Sequence, residues 1–283
     1  MVQLLTTTAI RKISGGLGIK PTKKWGQNFV VDGNTVRRIV ATAQVGPDDV
    51  VVEVGPGLGS LTLGLLEQAK RVFAVEIDPK LATALGSTVE HKAPQEAAKL
   101  SVIHCDAMRI KASDFDEPPS ALIANLPYNV AVPVVLHFLT NIPSVRRGLV
   151  MVQKEVADRL TASPGSKIYG APSVKMAWYT RSKRAGSVSR SVFWPVPNVD
   201  SGLVAFERIE PPQADRVEVF KAVDAAFGQR RKMLRQALKE WAGSVARAEA
   251  ICEAAAIPPT QRGEALDVHQ FVALADAKAA LDA

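Results

Sequence analysis

Val50-Val-Val-Glu-Val-Gly-Pro-Gly-Leu-Gly59 decides how this chain is read. Its first half is apolar and β-branched, as a strand covered on both faces must be. Its second half carries glycines at 55, 57 and 59. Glycine leaves out the side chain where a backbone must pass close to a ligand. The stretch is therefore expected to be a buried strand running into a tight turn.

The spacing narrows what such a turn can hold. A dinucleotide fingerprint, GxGxxG, needs its third glycine at position 60, where Ser60 stands. No Gly-Lys-Ser/Thr follows, which excludes a Walker-type phosphate loop. GxGxG preceded by an acidic strand residue suits S-adenosylmethionine (SAM). A turn that binds nothing has the same local sequence, so its neighbours matter. Glu76 ends the next strand, 21 residues after Gly55, where a carboxylate can accept from both ribose hydroxyls. Asp78 is the alternative, although its place before Pro79 marks it as a helix-start residue. Asp106 follows the third strand and is set either to accept from an adenine amino group or to cap its loop.

Further strands are expected at Val72–Ile77, Leu100–His104, Ala121–Ala124 and Gly148–Gln153, with amphipathic segments at Ser60–Ala69 and Leu81–Val89. Such alternation implies an α/β fold with a parallel sheet covered on both faces. Ser187–Phe193 and Ser201–Arg208 are expected to add an antiparallel edge pair joined by Trp194-Pro-Val-Pro-Asn198. After Pro211-Pro212 the pattern turns helical. Phe220, Val223, Phe227, Leu234, Leu238 and Trp241 recur at three- and four-residue spacing, with Gly228 interrupting one helix or separating two. The expected domains are 1–210, catalytic, and 211–283, helical.

Asn125-Leu-Pro-Tyr128 follows the fourth strand. An adenine N6 amine is a poor nucleophile because its lone pair is conjugated into the ring. The Asn125 side-chain carbonyl and the Leu126 main-chain carbonyl can accept its two hydrogens. Pro127 stiffens the turn, and Tyr128 offers a face on which the base can stack. With an activated methyl donor, geometry carries the rate and no strong general base is needed.

The chain has 283 residues, 47% of them apolar, and a formal charge of +7. No apolar run approaches the roughly 18 residues of a membrane span, and the N-terminus does not read as a secretory signal. Cys105 and Cys252 form no CxxC pair. A cytoplasmic protein with free thiols is the expectation. His104-Cys-Asp106 lacks a second cluster, so no metal is expected. Basic residues gather at Arg11, Lys12, Lys20, Lys23 and Lys24, at Arg181, Lys183, Arg184 and Arg190, and at Arg230, Arg231, Lys232, Arg235 and Lys239. They are either solvated faces or contacts to a polyanion.

Several ordered motifs resemble the KsgA type of the ribosomal RNA adenine dimethylases, relatives of the Erm resistance methylases. They are Lys24-Trp-Gly-Gln-Asn-Phe-Val30, Glu53–Thr62, Asn125–Val130, Gln153–Ala157, Phe193–Ser201, Phe227–Arg235 and Arg262–Leu266. Ala131 and His104-Cys105 depart from the family pattern without removing a chemical group. The resemblance implies a Rossmann-like, seven-stranded SAM-dependent methyltransferase fold with a helical C-terminal domain that docks on RNA. It implies cofactor-binding roles for Asn28, Val30, Gly55, Gly57, Glu76, Asp106 and Asn125. Catalytic roles fall on Asn125, Leu126, Pro127 and Tyr128, with Phe193 against the base. The implied reaction dimethylates N6 of two adjacent adenines near the 3′ end of small-subunit ribosomal RNA, within a pre-ribosomal particle, by a monomer. The rival readings are an Erm-like large-subunit methylase, a non-catalytic RNA-binding assembly factor and a nicotinamide dehydrogenase. Ser60 disfavours the last.

Overall fold

The protein is described by a computed structural model that covers residues 2–18, 28–127 and 130–283. Its contacts divide it into two units, Met1–Ala157 with Lys183–Arg208, and Asp158–Ser182 with Ile209–Ala283.

The first unit is built on strands β1 (Phe29–Val30), β2 (Val50–Val54), β3 (Arg71–Glu76), β4 (Leu100–His104), β5 (Ala121–Asn125), β6 (Arg147–Gln153), β7 (Thr180–Val188), β8 (Phe193–Trp194) and β9 (Ser201–Arg208). Seven form one sheet in the order β4-β3-β2-β5-β6-β9-β7, and β1 pairs with β8 in a separate two-stranded ribbon. The pairings among β4, β3, β2, β5 and β6 are parallel, whereas β9 runs antiparallel to β6. Every residue of β2 is buried. That is why this strand, Glu53 apart, reads as continuous hydrophobics rather than as an alternation. From β2 the chain winds one way to β3 and β4, then returns to the other side of β2 for β5 and β6. The order thus reverses between β2 and β5, and the carboxyl ends of those strands flank the crevice in which open α/β sheets bind ligands.

The helices of this unit are α1 (Thr7–Gly16), α2 (Gly33–Ala43), α3 (Ser60–Leu66), α4 (Pro79–Lys92), α5 (Ala131–Asn141) and the start of α6 (Lys154–Leu160). Asp78 caps α4 by accepting from the Lys80 N–H at 2.9 Å, with Pro79 in the first turn. Asp78 is therefore the helix cap and Glu76 is the strand-end carboxylate.

Two expectations need correction. The edge strand before Trp194 is β7, Thr180–Val188, and Phe193 leaves it to pair with Val30. Its charged, weakly alternating sequence hides a strand whose exposed Arg181 and Lys183 suit a sheet edge. The segment 158–182, whose last three residues open β7, also groups with the C-terminal helices.

The second unit shows why. It contains α7 (Ala171–Tyr179), α8 (Arg216–Gly228), α9 (Leu234–Ala237), α10 (Lys239–Ala242), α11 (Val245–Ala254) and α12 (Val268–Asp282). Trp178 and Tyr179 pack edge-on against Phe220, and Tyr169 against Phe227, at centroid separations of 5.7, 6.3 and 5.9 Å. The Tyr169 hydroxyl donates to the Leu266 carbonyl at 2.9 Å. Gly228 separates two helices, since α8 ends there and α9 begins at Leu234. Among the described residues no helix is long and apolar enough to cross a membrane.

Candidate active site

A cavity of about 330 Å³ opens where the sheet order reverses. The glycine turn after β2 forms one wall. Gly55 and Gly57 have φ of +68° and +59°, in the left-handed region that side chains rarely adopt. At Gly57 a Cβ would also lie 2.8 Å from Cε1 of Phe29, a ring that lines the same cavity. Both positions thus need glycine for conformation, and Gly57 needs it for space as well.

Glu76 fastens this turn to the end of β3. Its Oε2 accepts from the Gly57 N–H at 3.1 Å, and its Oε1 from the N–H groups of Ile77 and Asp78 at 2.9 and 3.0 Å. Two carboxylate oxygens offer about four lone-pair positions, so Oε2 retains one acceptor position. Burial pushes the Glu76 carboxyl above its ordinary value, and the bonds from Asp78, Gly57 and Ile77 oppose that rise.

Glu53, one strand over, is the site residue that motif reading left without a role. It lines the cavity and is 1% exposed. Burial raises its pKa to about 8; the Thr62 hydroxyl, donating at 2.6 Å, opposes the shift and the nearby charge of Glu76 adds to it. The signal was an acidic residue inside an otherwise apolar strand. Ser60 also lines the cavity, and its buried Oγ has no hydrogen-bond partner among the described residues. In the sequence it counted only as the residue that breaks a dinucleotide fingerprint.

The opposite wall follows β5. The Asn125 Nδ2 donates to the Asn28 carbonyl at 3.1 Å. That bond fixes the amide so that its carbonyl oxygen is turned away from Asn28. The Leu126 N–H donates to the Met151 carbonyl at 3.0 Å, and the Pro127 carbonyl accepts from Val130 at 3.2 Å. The turn is thus held by its own backbone. After β4, Asp106 caps a short 3₁₀ turn, its Oδ1 accepting from the Met108 N–H at 2.9 Å. Asp106 also lines the cavity, so capping and cavity positions belong to one residue.

Of the residues singled out in the sequence, Asn28, Val30, Gly55, Gly57, Glu76 and Asp106 line this one cavity. Asn125, Leu126 and Pro127 line it too. Tyr128 lies outside the described residues. Phe193 does not belong with them. It is 2% exposed and packs in the core, paired through β8 with Val30. Among the described residues the ring that faces the cavity is Phe29, which motif reading held only inside a longer signature.

The crevice fits a cofactor with a nucleoside and a cationic group. Its wall is largely apolar, with Phe29, Val30, Ile77 and Leu81, and it carries the carboxyls of Glu53, Glu76 and Asp106. The Ser60 hydroxyl, unpartnered among the described residues, offers a polar contact for such a ligand.

Fold and site together define a Rossmann-like methyltransferase. A dimethyladenosine transferase from Plasmodium falciparum shares the fold with a TM-score of 0.71, over 86% of this chain and 94% of that one, at 22% identity. The 23S rRNA methyltransferase ErmE superposes with a TM-score of 0.64 over 88% and 98%, at 25% identity. A family model described as ribosomal RNA adenine dimethylase matches residues 18–279, and the chain belongs to that family. Two relatives named ribosomal RNA small subunit methyltransferase A extend the match. The protein from Streptomyces avermitilis is 58% identical over 98% of this chain and 95% of its own length. That from Thermobifida fusca is 59% identical over 97% and 96%.

Proposed function

We propose that this chain is a SAM-dependent dimethyltransferase acting on N6 of two adjacent adenines near the 3′ end of small-subunit ribosomal RNA. The observation that carries the reading is the pinned Asn125 amide, set beside the Gly55–Gly57 turn in one cavity. Identity of 58–59% to the small-subunit enzymes, against 25% to ErmE, favours the small-subunit target over the large-subunit one.

When bound, the cofactor supplies a methyl group activated by a positively charged sulfur. Glu76 holds the ribose through the acceptor position left on Oε2, and Asp106 accepts from the adenine amino group of the cofactor. The glycine turn lets the ligand lie against backbone, and Ser60 offers its hydroxyl. Asn28 acts through Asn125, because its carbonyl orients the amide. On the acceptor side, the Asn125 and Leu126 carbonyls accept hydrogen bonds from the N6 amine and draw the nitrogen towards tetrahedral geometry, freeing its lone pair; the proton left on the methylated nitrogen passes to water. Holding the reacting atoms in line is the main source of rate in such a transfer. Pro127 keeps the carbonyls in place, and Tyr128 stacks on the target base.

The substrate is RNA within a pre-ribosomal particle, and the exposed cations Arg231, Lys232 and Lys239 of the helical unit contact its phosphates. The enzyme works as a monomer in the cytoplasm. Labelled SAM incubated with unmodified small and large subunits, followed by mass spectrometry of the ribosomal RNA, tests the reading. Dimethyladenine at two adjacent adenines supports it, and label confined to large subunits favours the ErmE-like alternative.

A further inference from the structure

Three arginines of the first unit are held in place without being neutralised. Arg38 of α2 donates through Nη2 to the Ser187 carbonyl at 3.0 Å. Arg190 donates through Nη1 to the Asn198 carbonyl at 3.1 Å, and its main-chain N–H donates to Asp200 Oδ1 at 2.9 Å. The guanidinium carbon of Arg11, on α1, lies 6.0 Å from the centroid of the Trp194 ring. All three arginines are exposed, and none pairs with a carboxylate among the described residues. Asp32 feels the charge of Arg38, but its carboxylate caps α2 by accepting from the Thr35 N–H at 2.6 Å. The groups that hold the three guanidiniums are neutral and belong to one segment, 187–198. Other arginines of the chain are treated differently: Arg71, Arg147, Arg230 and Arg235 each pair with an acid. Three like charges gathered on one segment without an acid among them raise a local positive field, which attracts a polyanion.

The segment that gathers them borders the crevice. Its strand β8 pairs with β1, whose Phe29 and Val30 line the cavity. Just past it, the Asp200 carbonyl accepts from the Lys154 N–H at 3.0 Å, directly after β6, whose Met151 is the register partner of Asn125. With strands about 4.8 Å apart and a rise of about 3.3 Å per residue, Asp200 stands on the order of 15 Å from Asn125. An RNA strand that delivers a base to Asn125 must carry its backbone past this rim. A guanidinium presents a planar fork that matches phosphate oxygens, and one already held by a neutral acceptor loses less freedom on binding.

We infer that Arg11, Arg38 and Arg190 bind the phosphates that flank the target adenine and so align the RNA strand with the crevice. The inference rests on the RNA reading above and adds a substrate-binding surface on the catalytic unit to the exposed cations of the helical one.

The test uses the full-length protein and small-subunit particles. Their ribosomal RNA carries either its natural phosphates or single uncharged methylphosphonate linkages around the target adenines. Binding is measured across a salt series. Arg11→Gln, Arg38→Gln and Arg190→Gln should each weaken binding to intact particles on the order of tenfold, the cost of one charge-assisted hydrogen bond. Each should also flatten the slope of log affinity against log salt by about 0.7–1, because one phosphate contact fewer releases fewer counterions. Arg38→Lys and Arg190→Lys keep the charge and should keep the slope, and SAM affinity should stay unchanged in every variant. A methylphosphonate at the phosphate that an arginine binds should cost the wild type a similar factor and cost the matching Gln variant nothing further. An unchanged slope in all three Gln variants overturns the proposal. So does a loss of affinity that no methylphosphonate reproduces, which would give the surface to a protein partner instead. Failure of the wild-type enzyme to methylate any ribosomal RNA would count against the underlying reading, whereas normal methylation with no effect at these arginines would count against the phosphate site alone.

Discussion

The crevice at the carboxyl ends of β2, β3 and β5 and the helical unit handle charge in opposite ways. In the crevice, carboxyls are held by backbone N–H groups and keep capacity for a ligand: Glu76 accepts three such bonds, and Ser60 keeps a buried hydroxyl without a partner among the described residues. In the helical unit, two of the three arginines of the Phe227–Arg235 motif, Arg230 and Arg235, are tied to carboxylates of their own unit. Arg230 Nε donates to Glu264 at 2.9 Å and its Nη2 to the Lys167 carbonyl at 2.6 Å, while Arg235 pairs with Glu249 at 3.1 Å. A polar residue in a motif can thus be kept for chemistry or for holding a loop, and only its partners tell which. Of the third basic cluster, Arg230 and Arg235 serve the fold, and Arg231, Lys232 and Lys239 remain exposed.

That contrast is broken most severely at Asn125. Asn125→Ala removes an acceptor for the amine and should lower methyl transfer on the order of 10²- to 10³-fold, the usual cost of losing one transition-state hydrogen bond. Stability should fall by only about 1 kcal/mol from the lost bond to Asn28, which thermal unfolding checks. Glu76→Ala comes next. Losing a charge-assisted bond should weaken SAM binding on the order of tenfold or more, measured by calorimetry, with RNA affinity changed far less. Equal losses of both would point to an opened Gly55–Gly57 turn rather than to a ligand contact.

The helical unit should answer in the other coin of the comparison. Arg230→Ala should cost about 1–2 kcal/mol of stability, since a half-exposed ion pair contributes little but two backbone carbonyls lose their donor. SAM affinity should not move. A lowered SAM affinity in a folded Arg230→Ala protein would dissolve the distinction between the two regions.

Glu53 is told by the shape of its effect, a dependence of stability on pH, rather than by a change in ligand affinity. Its carboxyl titrates near 8 in the folded protein against 4.5 as the ordinary value. The folded state therefore keeps a proton that the unfolded chain has released. Stability from this group is complete below about 4.5 and is lost as pH rises through 8. Glu53→Gln should flatten the dependence of stability on pH in that window, and an unchanged slope in unfolding experiments would assign the slope elsewhere.

What the sequence made legible was written in the backbone. The Gly55–Gly57 turn, the strand-end carboxylate Glu76 and the Asn125–Pro127 turn stand at the ends of buried, largely apolar strands, and they line one cavity. What escaped depends on tertiary packing. The β7 strand is polar because it lies at a sheet edge, so its period of two is faint. Phe193 and Trp194 are adjacent aromatics, and only the pairing of β8 with β1 shows which one enters the core. The 158–182 segment joins the helices through Tyr169, Trp178 and Tyr179, contacts that no local pattern announces. Glu53 looked like one letter of a motif, and its burial gives it a separate chemistry.

The most direct test of the central claim is methyl transfer by wild type and Asn125→Ala, side by side, from labelled SAM to small subunits that lack the modification. Wild type should give dimethyladenine at two adjacent adenines near the 3′ end, and the variant little or none although it still binds SAM and subunits. Transfer by Asn125→Ala at the wild-type rate, or no label from a wild-type protein that binds both partners, would contradict that claim.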